Sequence, residues 1–266
     1  MDSRISKFLF LIFFLKTNFN FSQSNEINFC DRELCPYQGQ HVACGKNRTF
    51  SKDCKGEVKL EDMKDYISLI LKEHNHYRNQ LAGGNITGKD PAVRMPIVHW
   101  DWDLALTAEY NVRTCVFAHD ECRNTKRFRN AGQNIYWLKT TQLDLNTDFI
   151  IKDAIKMWFE EHKDCDRDVL QAYEKKKPQI GHFTIMVNDL QTHVGCSMIK
   201  NRLLGHFKKL VVIFTCNYST TNIRGLSTYK TGPTASKCKQ RNEEFINLCN
   251  DPIDANDLGW HLEKGK

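Results

Sequence analysis

Eleven cysteines in 266 residues, all of them beyond position 29, constrain this chain more than any other feature. In an oxidising compartment such a count makes a disulfide framework. No C-x-x-C pair occurs, which argues against zinc-finger and thioredoxin-type sites. The N-terminus points to the compartment. Arg4 and Lys7 lead into Phe8–Leu15, FLFLIFFL, a run of eight apolar residues. A membrane-spanning helix needs roughly 20, so residues 1–24 read as a secretory signal peptide with cleavage at Ser22-Gln23-Ser24. No later apolar run is long enough to span, so the expectation is a secreted, extracellular protein without a membrane span. Secretion gives meaning to the sequons at Asn47 and Asn85, which are expected to be glycosylated. A third, at Asn217, directly follows a cysteine of a buried strand and is expected to stay bare.

The formal charge is +6, and removal of residues 1–24 leaves +4. That is a mild excess. The clusters Glu174–Lys177 and Lys208-Lys209 read as solvated loops. Nucleic-acid binding would need a continuous basic stripe with interleaved aromatics, and none is present.

Residues 25–58 hold Cys30, Cys35, Cys44 and Cys54 without any clear period, a cap that needs cross-links to keep its shape. From Leu60 to Leu81 apolar residues recur at three- and four-residue steps, which predicts a helix stopped by Gly83-Gly84. His74 lies on its apolar stripe and reads as a core residue. Further helices are predicted over residues 101–114 and 148–162. Strands are predicted over 131–137, 183–187, 193–199 and 210–218. In GHFTIMVNDLQTHVGC, residues 181–196, the first strand opens at His182. Residues 239–266 are polar and read as a poorly ordered tail that Cys249 and Trp260 could pin. Helices alternating with strands on one core predict an α+β, three-layer α-β-α sandwich.

GHFT…VGC and the later FTCNY, residues 214–218, resemble the paired signatures of the CAP superfamily, which includes cysteine-rich secretory, antigen 5 and pathogenesis-related 1 proteins (the SCP domain). The pattern EHN–R at Glu73, His74, Asn75 and Arg78 is similar to that family's first helix. The cysteine-rich extension, and Cys115 and Cys122 seven apart, resemble the insect antigen 5 branch, the venom allergen 5 proteins. Ile185 and Asn188 depart from the signature, which has Gln and Trp there. The resemblance implies the same sandwich over residues 59–238.

The resemblance also implies a cleft lined by His119, Gln133, Glu161 and His182. The family's usual glutamate is Gln133 here, which removes half of any paired-carboxylate acid/base mechanism. His119 and His182 are candidate metal ligands, with Glu161 beside them, and zinc suits such a set. Alternatively the residues form a hydrogen-bonded polar cluster that braces the cleft. No HExxH or G-x-S-x-G motif is present, and no catalytic residue is assigned. Pairing cannot be read from a cysteine count. The antigen 5 spacing implies Cys30–Cys44, Cys35–Cys122, Cys54–Cys115 and Cys196–Cys216. Cys165–Cys238 is the expected fifth pair, leaving Cys249 free or intermolecular.

The chain therefore reads as a secreted, non-enzymatic, monomeric antigen 5-like protein. Its expected role is to bind a small hydrophobic ligand (lipid, sterol or eicosanoid) or an extracellular protein, with no cofactor required and zinc as an optional one. A metal-dependent hydrolase of the protease type is the alternative.

Overall fold

The computed structural model describes residues 27–205 and 208–251. The expected signal peptide, residues 1–24, and Trp260 lie outside the described residues. Five strands form one sheet: β1 (Glu57–Leu60), β2 (His99–Trp100), β3 (Gly132–Thr140), β4 (His193–Leu203) and β5 (Lys209–Tyr218). Their order is β1-β4-β5-β3, with β2 lying parallel against the start of β4. The long central pairs are antiparallel, so Tyr218 faces both Val194 and Gly132.

Alternate strand residues point to opposite faces, and here both faces are apolar. Tyr136, Met198 and Phe214 pack with α1 (Ile67–Ala82), α3 (Thr147–Glu160) and α5 (Gly181–Met186). Ile135, Ile199 and Ile213, each one residue out of step with those, pack on Val112 of α2 (Trp102–Val112). This is a three-layer α-β-α sandwich. The α2 layer is so close that a Cβ at Gly195 would lie 2.2 Å from the Ala105 amide nitrogen, so only glycine fits. A short α4 (Arg167–Gln171) follows α3.

Two predicted elements differ. The 60–81 helix begins later: β1 ends at Leu60, Asp62 caps a 3₁₀ turn over Met63–Tyr66, and α1 starts at Ile67. The expected strand over 183–187 is instead α5, so His182 sits in a first helical turn. Burial overrides β propensity there, with Phe183, Thr184, Ile185 and Met186 all inside. The Thr184 hydroxyl satisfies itself on the Ile180 and Gly181 carbonyls, which makes a β-branched residue tolerable in the helix.

The least expected core group is Arg78 of α1, which is fully buried. Its guanidinium donates to the carbonyl oxygens of Pro96, Met186, Asn188 and Gln191 at 2.7–3.2 Å. Burial lowers its pKa to about 9, and it stays charged at neutral pH. His74, one turn earlier, bridges the Ile70 carbonyl and the Tyr218 hydroxyl, and burial holds its pKa near 4. It is a core residue.

Five disulfides are present: Cys30–Cys44, Cys35–Cys122, Cys54–Cys115, Cys196–Cys216 and Cys238–Cys249. Cys196 and Cys216 are register partners on β4 and β5. The expected Cys165–Cys238 bridge does not form, and Cys249 is not free. The segment after Cys238 docks rather than fraying, at least to Asp251. The Cys249 amide donates to the Met95 carbonyl, the Cys249 carbonyl accepts from Ile97, and Leu248 is buried. That docking delivers Cys249 to Cys238, while Cys165 stays a buried thiol whose pKa burial pushes up to about 11.

Two outcomes follow. Non-reducing peptide mapping is expected to recover a Cys238–Cys249 linked pair and a Cys165 that alkylates only after unfolding; a Cys165–Cys238 peptide would contradict the fold at this corner. Arg78→Lys keeps the charge but loses the planar fork, and is expected to cost about 2–4 kcal/mol in urea unfolding. A change under about 0.5 kcal/mol, the size of an ordinary surface substitution, would contradict the role given to Arg78.

Candidate functional site

The four cleft positions come from four different elements. His119 lies on the loop after α2, Gln133 near the start of β3, Glu161 in the 3₁₀ turn Glu161–Asp164 that ends α3, and His182 in α5. His119, Gln133 and His182 line one open cavity of about 520 Å³, while Glu161 stands behind His182.

Glu161 is wholly engaged. Its Oε2 accepts from the backbone N–H of His182 at 2.8 Å and of Phe183 at 3.1 Å, capping the start of α5. Its Oε1 accepts from His182 Nδ1 at 2.7 Å. The carboxylate thereby fixes the proton of His182 on Nδ1. Trp158 supports the ring from one side, with centroids 6.1 Å apart.

A second chain fixes His119. The Gln133 amide nitrogen donates to Asp120 Oδ2 at 2.8 Å and to Asn217 Oδ1 at 3.0 Å. That leaves Gln133 Oε1 to accept from His119 Nδ1 at 2.7 Å. Burial lowers the His119 pKa, against the opposing pull of this hydrogen bond. Asp120 also accepts from Asn111 and from Arg123. It is the acid the sequence reading missed, and its position directly after His119 is the only local signal for it. A glutamate at 133 would set a second carboxylate against Asp120 and Asn217 Oδ1. The amide is what this pocket requires.

Both imidazoles thus have Nδ1 tied back and, when neutral, a lone pair on Nε2. Tying back one ring nitrogen is how proteins prepare histidine for a metal. An exposed amide, Gln179 Nε2, lies 3.3 Å from both nitrogens of His182. Among the described residues no cluster of three or more His, Cys, Asp or Glu could enclose a metal. The donor set therefore fits an open two-histidine site and not a closed structural one. Arg123, Lys175, Lys176 and Lys177 also line the cavity, with Arg123 and Lys176 paired to Asp120 and Asp166.

The floor is braced from below. Asn134 donates to the His182 carbonyl and to the Tyr218 hydroxyl, which also meets His74. The Asn217 sequon is closed: its side chain is buried against Gln133 and Thr107, whereas Asn47 and Asn85 are exposed.

A two-layered helical wrapping of one sheet, a disulfide joining the central strands and a paired-histidine cleft define a disulfide-stabilised α-β-α protein of the SCP type. The chain belongs to the CAP, or cysteine-rich secretory protein, family, whose model matches residues 71–218. It is 39% identical to Venom allergen-1 of Aedes albopictus over 226 residues, 84% of this chain and 87% of that one. It is 38% identical to the Antigen 5 like allergen Cul n 1 of Culicoides nubeculosus over 187 residues, 65% of this chain and 84% of that one. Among solved structures, NaASP2 with Zn2+ superposes with a TM-score of 0.55 at 22% identity, covering 75% of this chain and 99% of that one.

Gln133→Glu tests the local logic. Burial beside Asp120 would raise the folded-state pKa of the new carboxyl above its unfolded value, so its cost is largest at neutral pH and fades as acid protonates it. The expected loss is about 1–3 kcal/mol at pH 7, shrinking toward pH 4. Equal stability at pH 7, or a deficit that does not shrink in acid, would contradict the assignment of acceptors around residue 133.

Proposed function

We propose that this protein is a secreted, non-enzymatic binding module. The observation that carries the reading is the commitment of the cleft's acid groups. Glu161 spends both oxygens on three donors, and position 133 is an amide. A paired-carboxylate hydrolysis needs two carboxylates free to move protons; position 133 supplies none, and Glu161 and Asp120 are both engaged by fixed donors.

A ligand with an apolar body, such as a lipid, sterol or eicosanoid, is better suited elsewhere. A cavity of about 470 Å³ opens beside β2 and the start of β4, with Pro96, Ile97, Phe128 and Leu190 on its walls. That volume is in the range of small-molecule sites. An extracellular protein partner would meet the exposed rings of Phe117 and Trp137, which contact each other beside the cleft. No cofactor is required for either role. Zinc held by Nε2 of His119 and His182 is an accessory that the cleft suits. No helix among the described residues is long and apolar enough to cross a membrane. Glycans are expected on Asn47 and Asn85.

Solvent extraction of protein purified from a eukaryotic secretory host is expected to release a bound lipid, with no peptide or ester turnover above background. Turnover that disappears in Glu161→Gln would overturn the binding reading. In calorimetry, His119→Ala with His182→Ala is expected to lose one equivalent of zinc. Protonation should compete with that equivalent only in acid, since burial already lowers the His119 pKa. Unchanged stoichiometry in the double variant would remove zinc from the cleft.

A further inference from the structure

The cavity beside β2 has a second feature that the cleft does not share. β2 and β4 run parallel, and their register places His99 directly opposite His193. The two rings project into the same cavity with centroids 5.8 Å apart and planes inclined by 49°. Imidazoles that share one ion through their ring nitrogens stand at about this separation, given metal–nitrogen bonds of about 2.0–2.1 Å.

His193 is prepared for such a role. The Ser219 hydroxyl donates to Gln191 Oε1 at 3.0 Å and accepts from the backbone N–H of Thr192 and His193. Thr192 Oγ1 lies 3.3 Å from Ser219 Oγ and 2.9 Å from His193 Nδ1. Thr192 Oγ1 thus gives His193 Nδ1 a fixed partner that orients the ring, while Nε2 makes no hydrogen bond to another described residue. Phe128 packs on the ring at 5.3 Å. The ring of His99 is exposed and makes no hydrogen bond to another described residue, so both its nitrogens are available.

We infer that His99 and His193 form a second metal site, a cross-strand chelate for a divalent late transition ion such as zinc, independent of the His119–His182 cleft. Imidazole nitrogen is the ligand type these ions favour. Two protein ligands leave the remaining positions to water or to a donor on a molecule in the cavity. Asp251 lies on the same cavity wall, and Arg127 is held 4.9 Å over Phe128 and 3.7 Å from Asp101 Oδ2. Asp251 is itself paired with Arg94 at 3.3 Å.

The test uses zinc alone and a background in which the cleft is removed. The full-length mature protein carrying His119→Ala and His182→Ala is expected to retain one zinc equivalent in calorimetry. Adding His99→Gln, an exposed substitution that leaves the melting temperature unchanged, is expected to weaken that equivalent at least tenfold. In ¹⁵N-labelled protein, zinc should shift the Nε2 resonance of His193. Zinc binding in this background that His99→Gln does not weaken, or a His193 Nε2 resonance that zinc does not move, would overturn the proposal. Failure of the cleft reading looks different: the double variant would keep every equivalent of the parent protein.

Discussion

The buried guanidinium of Arg78 is the contact on which the remainder of the molecule depends. One side chain on α1 gathers four carbonyl groups that have no strand partner: Pro96 before β2, Met186 at the end of α5, and Asn188 and Gln191 after it. An arginine can do this because its five donors lie in a rigid plane. The turn from 186 to 191 is thereby pinned at both ends of its role. Upstream it holds the exit of α5, which carries His182. Downstream it delivers the chain to His193, the first residue of β4. Both candidate sites are built on that turn.

The same economy runs through the cleft. Glu161 caps α5 and orients His182 with a single carboxylate. Gln133 joins His119 to Asp120 and to the buried Asn217 of β5. These two contacts hold two imidazoles in one tautomer. Both rings line one open cavity, with the exposed Gln179 amide 3.3 Å from His182 Nε2. The carboxylates themselves are fully occupied by these contacts. The cysteine framework makes the rigidity affordable in energetic terms. Cys35–Cys122 and Cys54–Cys115 fasten the N-terminal cap to the segment flanking His119, and each closed loop contributes roughly 2–4 kcal/mol by restricting the unfolded chain.

How much of this was legible in the sequence varies by element. Helices α1 to α3 and strands β3 to β5 announce themselves by apolar period, because each buries a stripe against the sheet. Residues 181–186 do not. Phe, Thr, Ile and Met in a row carry strand propensity, and what makes them helical is a cap from Glu161, twenty residues upstream, together with burial on every side. The Cys238–Cys249 bridge was hidden for a related reason. A polar segment reads as a tail until Leu248 is seen inside and the Cys249 backbone is seen between Met95 and Ile97. The cleft positions came from the family resemblance, while Asp120, Asn217 and Arg78 act through contacts that no local spacing records. The His99–His193 pair lies 94 positions apart and exists only through the β2–β4 register.

Glu161 and Gln133 fix the tautomers of His182 and His119. Long-range ¹H–¹⁵N correlation spectra of the imidazole side chains at neutral pH test it most directly. The account predicts that His119 and His182 both carry their proton on Nδ1, with His119 Nε2 resonating as an unprotonated nitrogen, and that Gln133→Leu releases His119 alone from this tautomer. Spectra showing either ring in the Nε2–H form, or His119 unchanged in Gln133→Leu, would contradict it.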